Sequence, residues 1–252
     1  MNETLYVSRT GEGAPPLVLL HGFAGTHRVW DGVRAALGGS PGVLAYDLPG
    51  HGGSLGFPEA GRAGPAAKAI LADLEDRGID RFHLAGHSFG GAIAALTAIG
   101  EPKRVLSLTL FAPGGFGPEI NTPLLWRLAE AGNAADIRDC LTAMSGRRPL
   151  VAEGVVREAE AMRTAPGQLA MLRNVCGLIA RDGRQGVISH EKLAALTMPV
   201  HVVWGALDTV LPARQAHDLP PHFVLHTFPH LGHMLPEEAP QEMAHILARA
   251  LG

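Results

Sequence analysis

Cysteine, charge and long apolar runs are all scarce in this sequence, and each scarcity removes a class of protein. Its two cysteines, Cys140 and Cys176, cannot build a disulfide framework. The expectation is a pair of reduced, buried thiols in a reducing compartment. No apolar run approaches the roughly 20 residues that a bilayer-spanning helix needs, so no membrane span is expected. The net charge is −3 and no Lys/Arg run exceeds a pair such as Arg147-Arg148. Nucleic acid and anionic membrane surfaces are therefore not expected partners. Met1-Asn2-Glu3-Thr4 carries neither a basic nor an apolar export segment, which points to a cytoplasmic setting. What the chain does have is bulk: 252 residues, 46% of them hydrophobic and 18% charged. That balance builds a sizeable core rather than a disordered segment.

Short apolar runs recur along the chain, each stopped by turn residues. Leu17–Leu20 stops at His21-Gly22, Val43–Tyr46 at Asp47, and Phe82–Ala85 at Gly86. Val105–Phe111 stops at Ala112-Pro113-Gly114, Val200–Trp204 at Gly205, and Phe223–Phe228 ends the series. Runs of this kind fit strands buried on both faces, as in a parallel sheet covered by helices. Helical patterns lie between them at 65–77, 88–100, 213–219 and 237–251, the last led in by Pro236. Leu5-Tyr6-Val7 reads as an antiparallel edge strand. The alternation is the α/β signature. It is broken from about Asn121 to His190, where helical patterns occur without a strand-like run. We expect a core over 1–120 and 191–252, and a helical cap over 121–190 above the carboxyl edge of the sheet. The sequence contains no internal repeat and no low-complexity segment.

Gly86-His87-Ser88-Phe89-Gly90 joins a strand directly to a helix and fits G-x-S-x-G, the nucleophile elbow. The turn is so sharp that side chains two positions either side of the serine would strike neighbouring backbone, and Gly86 and Gly90 remove them. Ser88 is thereby raised at a helix amino end, where unpaired N–H groups favour negative charge. A bare G-x-S-x-G is common; the strand before it and the small-residue helix after it supply the specificity. The bland alternative is a glycine-rich helix start with Ser88 as its cap.

Serine needs a base, and histidine suits neutral pH. Thirteen histidines are present, so position has to choose among them. In this arrangement the partners follow in the order Ser, Asp/Glu, His, each on a loop after a later strand. His233 follows the run ending at Phe228 and precedes the last helix, with His230 as its competitor. Asp208 follows Val200–Trp204, whereas the loop at Ala112-Pro113-Gly114 offers no carboxylate. Asp208 then orients the imidazole; its bland reading is a turn residue. The dense set His217, His222, His226, His230 and His233 raises the question of a metal. No Cys and no His-Glu-x-x-His completes such a site, and neither a metal nor an organic cofactor is expected. Two backbone donors are needed for an oxyanion. The N–H groups of Phe89, directly after the nucleophile, and of Phe23, in the loop after the early strand, are assigned to it. His21 reads as a structural hydrogen-bonding residue.

Together these segments resemble the α/β-hydrolase superfamily over nearly the whole chain. Leu20-His21-Gly22-Phe23, the run Asp47 to Ser54, Gly86–Gly91, Gly205–Asp208 and Gly232-His233 stand in that family's order. The resemblance implies a mostly parallel twisted sheet with helices on both faces, a Ser-Asp-His triad, and a scaffold role for Asp47 and His51. Ala112–Asn121 and Ala180–Gln185 look like segments of the hydrolase-like domain in acetyltransferase components of acetoin dehydrogenase. Such chains typically carry a lipoyl domain in front; none is expected here, since the chain runs straight into its first strand.

The reading is a serine hydrolase that cleaves a carboxylic ester or thioester of a small molecule. Several alternatives share its machinery: acyl transfer to a thiol or alcohol, cleavage of an amide, lactone or ketone C–C bond, a perhydrolysis side activity, and a binding protein that uses the pocket as a receptor. The expected cap holds nine Arg against seven acids, a net of +2, which selects no substrate. Met144, Met162 and Met171 are expected to pack the cap rather than meet a ligand. Oligomeric state is not readable from these features.

Overall fold

The apolar runs become strands because each is buried on both sides, which a parallel sheet under two helical layers provides. The computed structural model describes residues 4–38, 42–147 and 151–252. Residues 1–3, used to judge export, and 148–150, within the expected cap, lie outside the described residues. The strands are β1 (Val7–Thr10), β2 (Leu17–Leu20), β3 (Val43–Tyr46), β4 (Phe82–His87), β5 (Val105–Phe111), β6 (Val200–Gly205) and β7 (Val224–Phe228). They form one sheet in the order β1-β3-β2-β4-β5-β6-β7. β1 runs antiparallel to β3 and every other pairing is parallel. All four residues of β2 and all four of β3 are buried, so both faces of the sheet are covered. The edge strand β7 is half open to solvent.

Among the described residues ten α-helices accompany the sheet: α1 (Asp31–Leu37), α2 (Ala63–Asp76), α3 (Phe89–Gly100), α4 (Thr122–Glu130), α5 (Ala134–Met144), α6 (Glu153–Arg163), α7 (Gln168–Ile179), α8 (His190–Ala194), α9 (Leu235–Glu238) and α10 (Pro240–Leu251). α2 packs on α3, and α1 on α10. α3 lies close against β2, β4 and β5 because its sheet-facing residues are small: Gly90, Gly91, Ala94, Ala95 and Ala98 are all buried. The alternation of elements is the α/β architecture expected, and its sheet and helices are those of the α/β-hydrolase fold that the resemblance implies.

Three local expectations are corrected. The edge strand starts at Val7 rather than Leu5; Leu5 is buried in the core, and Tyr6 donates its N–H to Ser54 Oγ. The run 213–219 forms a single 3-10 turn, Ala213–Ala216, before Pro220. The last helix is two helices: Ala239, the residue before Pro240, is extended at φ −145°, where Pro disfavours helix in its neighbour.

The order of the sheet creates the site. From β2 the chain moves outward to β3, then returns to place β4 on the other side of β2. The loops leaving β2 and β4 therefore diverge, opening a crevice at the carboxyl ends of the two strands. Phe23 follows β2 and Ser88 follows β4. The four helices α4–α7, inserted between β5 and β6, are tied down beside that crevice. Gln168 at the start of α7 accepts from Gly52 N–H and donates to Gly50 C=O, and Thr209 Oγ1 donates to Ala143 C=O at the end of α5.

Close approach at the β4–α3 turn is the tightest constraint in this region. A methyl group on Gly90 would meet the carbonyl oxygens of both Leu20 and His21. These carbonyls belong to β2 and its exit, so they cannot withdraw without disturbing the sheet. Gly90→Ala is therefore expected to lower stability by ~2–3 kcal/mol. A midpoint in urea unchanged from the parent protein would show that the turn has slack the packing does not suggest.

Candidate active site

Ser88 sits between β4 and α3 at φ 53° and ψ −117°. That is a conformation few residues with a Cβ adopt, and it stores strain of order 1–3 kcal/mol. Hydrogen bonds hold it there. Ser88 N–H donates to Phe111 C=O at the end of β5, and Ser88 C=O accepts from Ala92 and Gly114 N–H. The hydroxyl is left facing the crevice.

His233 reaches it from the loop after β7. Its Nε2 is 2.9 Å from Ser88 Oγ, a pair 145 residues apart in sequence. On its other side, Nδ1 is 2.8 Å from Asp208 Oδ2. Asp208 Oδ1 already accepts N–H bonds from Val210 and Leu211, 2.8 Å each, so Oδ2 is the oxygen free to receive the imidazole. An ionised carboxylate can only accept, which assigns the proton to Nδ1 and leaves Nε2 to accept from the serine hydroxyl. The side chains of Asp208 and His233 are 0% and 4% exposed, so little water competes for these bonds. His230, the alternative base, is exposed, with its ring edge-on to Phe228.

The loop carrying His233 is held at several points. His233 N–H donates to Met144 C=O. Glu238 accepts from the N–H groups of Gly232, Met234 and Gly146. His87 Nε2 donates to His233 C=O at 2.8 Å. His87 is fully enclosed, and burial drives its pKa down to about 3, so it stays neutral and adds no charge beside the imidazole. Neither His87 nor Glu238 stands out in the sequence. The cue available was the position of His87 within the elbow, and of Glu238 one turn after His233.

The N–H groups of Phe23 and Phe89 have no hydrogen-bond acceptor among the described residues. Both residues are close to Ser88: Phe89 follows it, and the backbone of Gly22 packs on the Ser88 and His87 side chains. His21 fixes the Phe23 loop. Its Nε2 accepts from Leu48 N–H at 2.9 Å and its Nδ1 donates to Gly22 C=O at 2.7 Å. Burial lowers its pKa to about 4. Asp47 accepts from the N–H groups of His27 and Gly53, and His51 Nε2 accepts from Ala24 N–H.

Above Ser88 lies a cavity of about 470 Å³, within the size range of small-molecule sites. Ser88, His87, His233 and Phe23 line its floor, and residues of α4, α5 and α6 line its roof. Met144 and Met162 pack in or against the core as expected and also border the cavity, while Met171 packs against Gly50. Glu237, the first acidic residue after His233, also borders the cavity, and its Oε2 is buried without a partner among the described residues. Burial raises its carboxyl from an ordinary 4.5 to about 8, so it is protonated at neutral pH. Among the described residues no three His, Cys, Asp or Glu side chains group as metal ligands, and no helix is long and apolar enough to cross a membrane.

A family model described as the alpha/beta hydrolase family matches residues 17–246. The chain is 35% identical over 234 residues to the dihydrolipoyllysine-residue acetyltransferase component of an acetoin cleaving system from Pseudomonas putida. That alignment takes in 92% of this chain and 62% of the relative, so the chain spans less than two thirds of that protein's length. It is also 31% identical over 219 residues to a pimeloyl-acyl-carrier-protein methyl ester esterase from Aeromonas hydrophila, covering 82% of each. Among solved structures, a meta-cleavage product hydrolase from Pseudomonas fluorescens superposes with a TM-score of 0.84 at 20% identity, over 98% of this chain and 93% of that one. At that identity the likeness is one of fold.

Glu237 makes a stability prediction. The folded chain holds its proton up to about pH 8, while the unfolded chain releases it near 4.5. Stability from this group is thus complete below pH 4.5, falls as pH rises toward 8, and is flat above. Glu237→Gln removes the titration. The variant should match the parent at pH 4 and exceed it at pH 9 by on the order of 5 kcal/mol, roughly 10–20 °C in Tm. Parallel Tm curves for the two proteins from pH 4 to 9 would contradict the raised pKa.

Proposed function

The chain belongs to the alpha/beta hydrolase family, and from that premise we propose that it is a serine hydrolase that cleaves a carboxylic ester or thioester of a small molecule. The observation that carries this reading is the unbroken hydrogen-bonded chain from Ser88 Oγ through His233 to Asp208, at 2.9 and 2.8 Å, beneath the cavity. Ser88 Oγ attacks the carbonyl carbon while His233 Nε2 takes its proton. Asp208 steadies the imidazolium. The carbonyl oxygen becomes an oxyanion and accepts from Phe23 and Phe89 N–H. As the intermediate collapses, His233 returns the proton to the departing alcohol or thiol, leaving an acyl-enzyme. Water then attacks, His233 takes one of its protons, and collapse releases the acid and restores Ser88. The helices α4–α7 serve as the cap, shaping the roof of the pocket and so the choice of substrate.

A second reading has one observation in its favour, the named acetyltransferase component among the relatives. In it the same acyl-enzyme passes its acyl group to a thiol instead of water. Dependence of product partition on added thiol, at constant ester consumption, separates the two.

The test is direct. A fluorophosphonate probe should label Ser88, and the protein should hydrolyse p-nitrophenyl esters. Ser88→Ala should lose both labelling and turnover, and Asp208→Asn should lower kcat by ~10³–10⁴-fold through the wrong imidazole tautomer. A folded protein that Ser88-directed probes leave untouched would place the pocket in a receptor role instead.

A further inference from the structure

The roof of the cavity contains a charge that no carboxylate among the described residues neutralises. Arg163, the last residue of α6, is 5% exposed and borders the cavity above Ser88. A guanidinium has five N–H donors. One from Nη1 goes to Ala159 C=O at 2.7 Å and one from Nη2 to Leu128 C=O at 3.2 Å. Nε–H has no partner among the described residues. Among the described residues no carboxylate lies within ion-pair distance of Arg163. Burying an unpaired cation costs several kcal/mol, and the two carbonyls offset a part of that.

The other charges around the cavity are accounted for. Arg28 at the mouth pairs with Glu158 at 3.1 Å and with Asp31 at 3.8 Å. Glu237 holds its proton, because burial disfavours its ionised form, and so brings no opposing charge at neutral pH. The remaining roof is apolar, with Leu125, Leu128, Leu141, Val155 and Met162. Among the described residues, the cavity wall therefore carries one unpaired positive charge in apolar surroundings.

We infer that Arg163 is a specificity-determining residue that binds a carboxylate on the substrate, so that the preferred substrate is an ester or thioester bearing a free carboxylate beyond a short aliphatic spacer. The inference rests on the hydrolase reading for the bond cleaved, and on Arg163 alone for the anion. A carboxylate fits because its single charge balances one guanidinium and its two oxygens match the fork of N–H groups. A phosphate dianion would need a second free cation, and Arg28 is already paired. The apolar roof accommodates the spacer between the anion and the carbonyl at Ser88.

The experiment compares p-nitrophenyl hydrogen glutarate with its neutral methyl ester. The parent protein should favour the acid in kcat/KM by about 10- to 100-fold. Arg163→Met should erase that preference through a higher KM for the acid, with the neutral ester changed by less than about 3-fold, and Arg163→Lys should retain part of the preference. Since Arg163 also holds two helix-end carbonyls, the substrate preference of the parent protein stands as a test in itself. Equal or reversed preference there, or an equal loss on both esters in a folded Arg163→Met, overturns the inference. Binding gives a readout without turnover. In Ser88→Ala, monomethyl glutarate should raise Tm and dimethyl glutarate should not, and adding Arg163→Met should remove the difference. Absence of any differential shift overturns the anion site. Absence of hydrolysis and of Ser88 labelling, with the differential shift intact, overturns the hydrolase reading and leaves the anion site standing.

Discussion

The hydrogen bond between Ser88 and His233 is the interaction to which the rest of the structure is subordinate. It joins loops 145 residues apart, so it exists only if β4 and β7 stand in fixed places in one sheet. β5 and β6 lie between them, paired in parallel register, and supply the spacing. The ends are then trimmed locally. His87 and Glu238 hold the histidine loop, and Phe111 C=O holds Ser88 in its strained conformation. Strain at Ser88 persists because several elements determine it together, which is the usual condition for a high-energy backbone to survive folding.

The electrostatics around this bond follow one pattern. His21, His51 and His87, in the segments around the site, are all pushed well below the normal imidazole range by burial. They act as neutral hydrogen-bonding groups, each committed to a backbone partner. His233 differs in that both of its ring nitrogens face side chains, one an acid and one a hydroxyl. That difference, not burial, marks it out from its neighbours. A ring that faces a carboxylate can accept a proton without leaving a bare charge in the interior.

The fold is readable in the sequence because its signals are local and repeated. Short apolar runs closed by turn residues mark every parallel strand, and the small residues after Ser88 announce a helix that must approach the sheet closely. Ser88, Asp208 and His233 are legible for a related reason: each is placed just after a strand, and strand ends are the easiest boundaries to see. The misreadings fall where a neighbour overrides local pattern. The run after Ala213 has helical periodicity but ends at Pro220 after one 3-10 turn. Pro240 divides a helix whose apolar spacing runs on unbroken. Leu5 to Val7 looks like a strand, yet only Val7 joins one, because Leu5 is drawn into the core and Tyr6 bonds Ser54.

The least legible part is the insertion, and the reason is physical. Helical periodicity tells which face of α4 to α7 is apolar, but an apolar face on a cavity and an apolar face in a core look alike. Met144 and Met162 illustrate this, being spaced for packing and found on the cavity wall. Arg163 illustrates the reverse. Nine arginines in the segment suggest a solvated surface, which holds for Arg157, exposed on the same helix. Arg163 sits six residues further on α6, where two helix ends meet over the cavity, and there the same side chain is desolvated and unpaired. Its position against the carbonyl of Leu128, 35 residues away, is a tertiary fact with no counterpart in spacing or composition. The wall of the cavity is thus set by contacts between helices, while Ser88, Asp208 and His233 are brought together from strand ends.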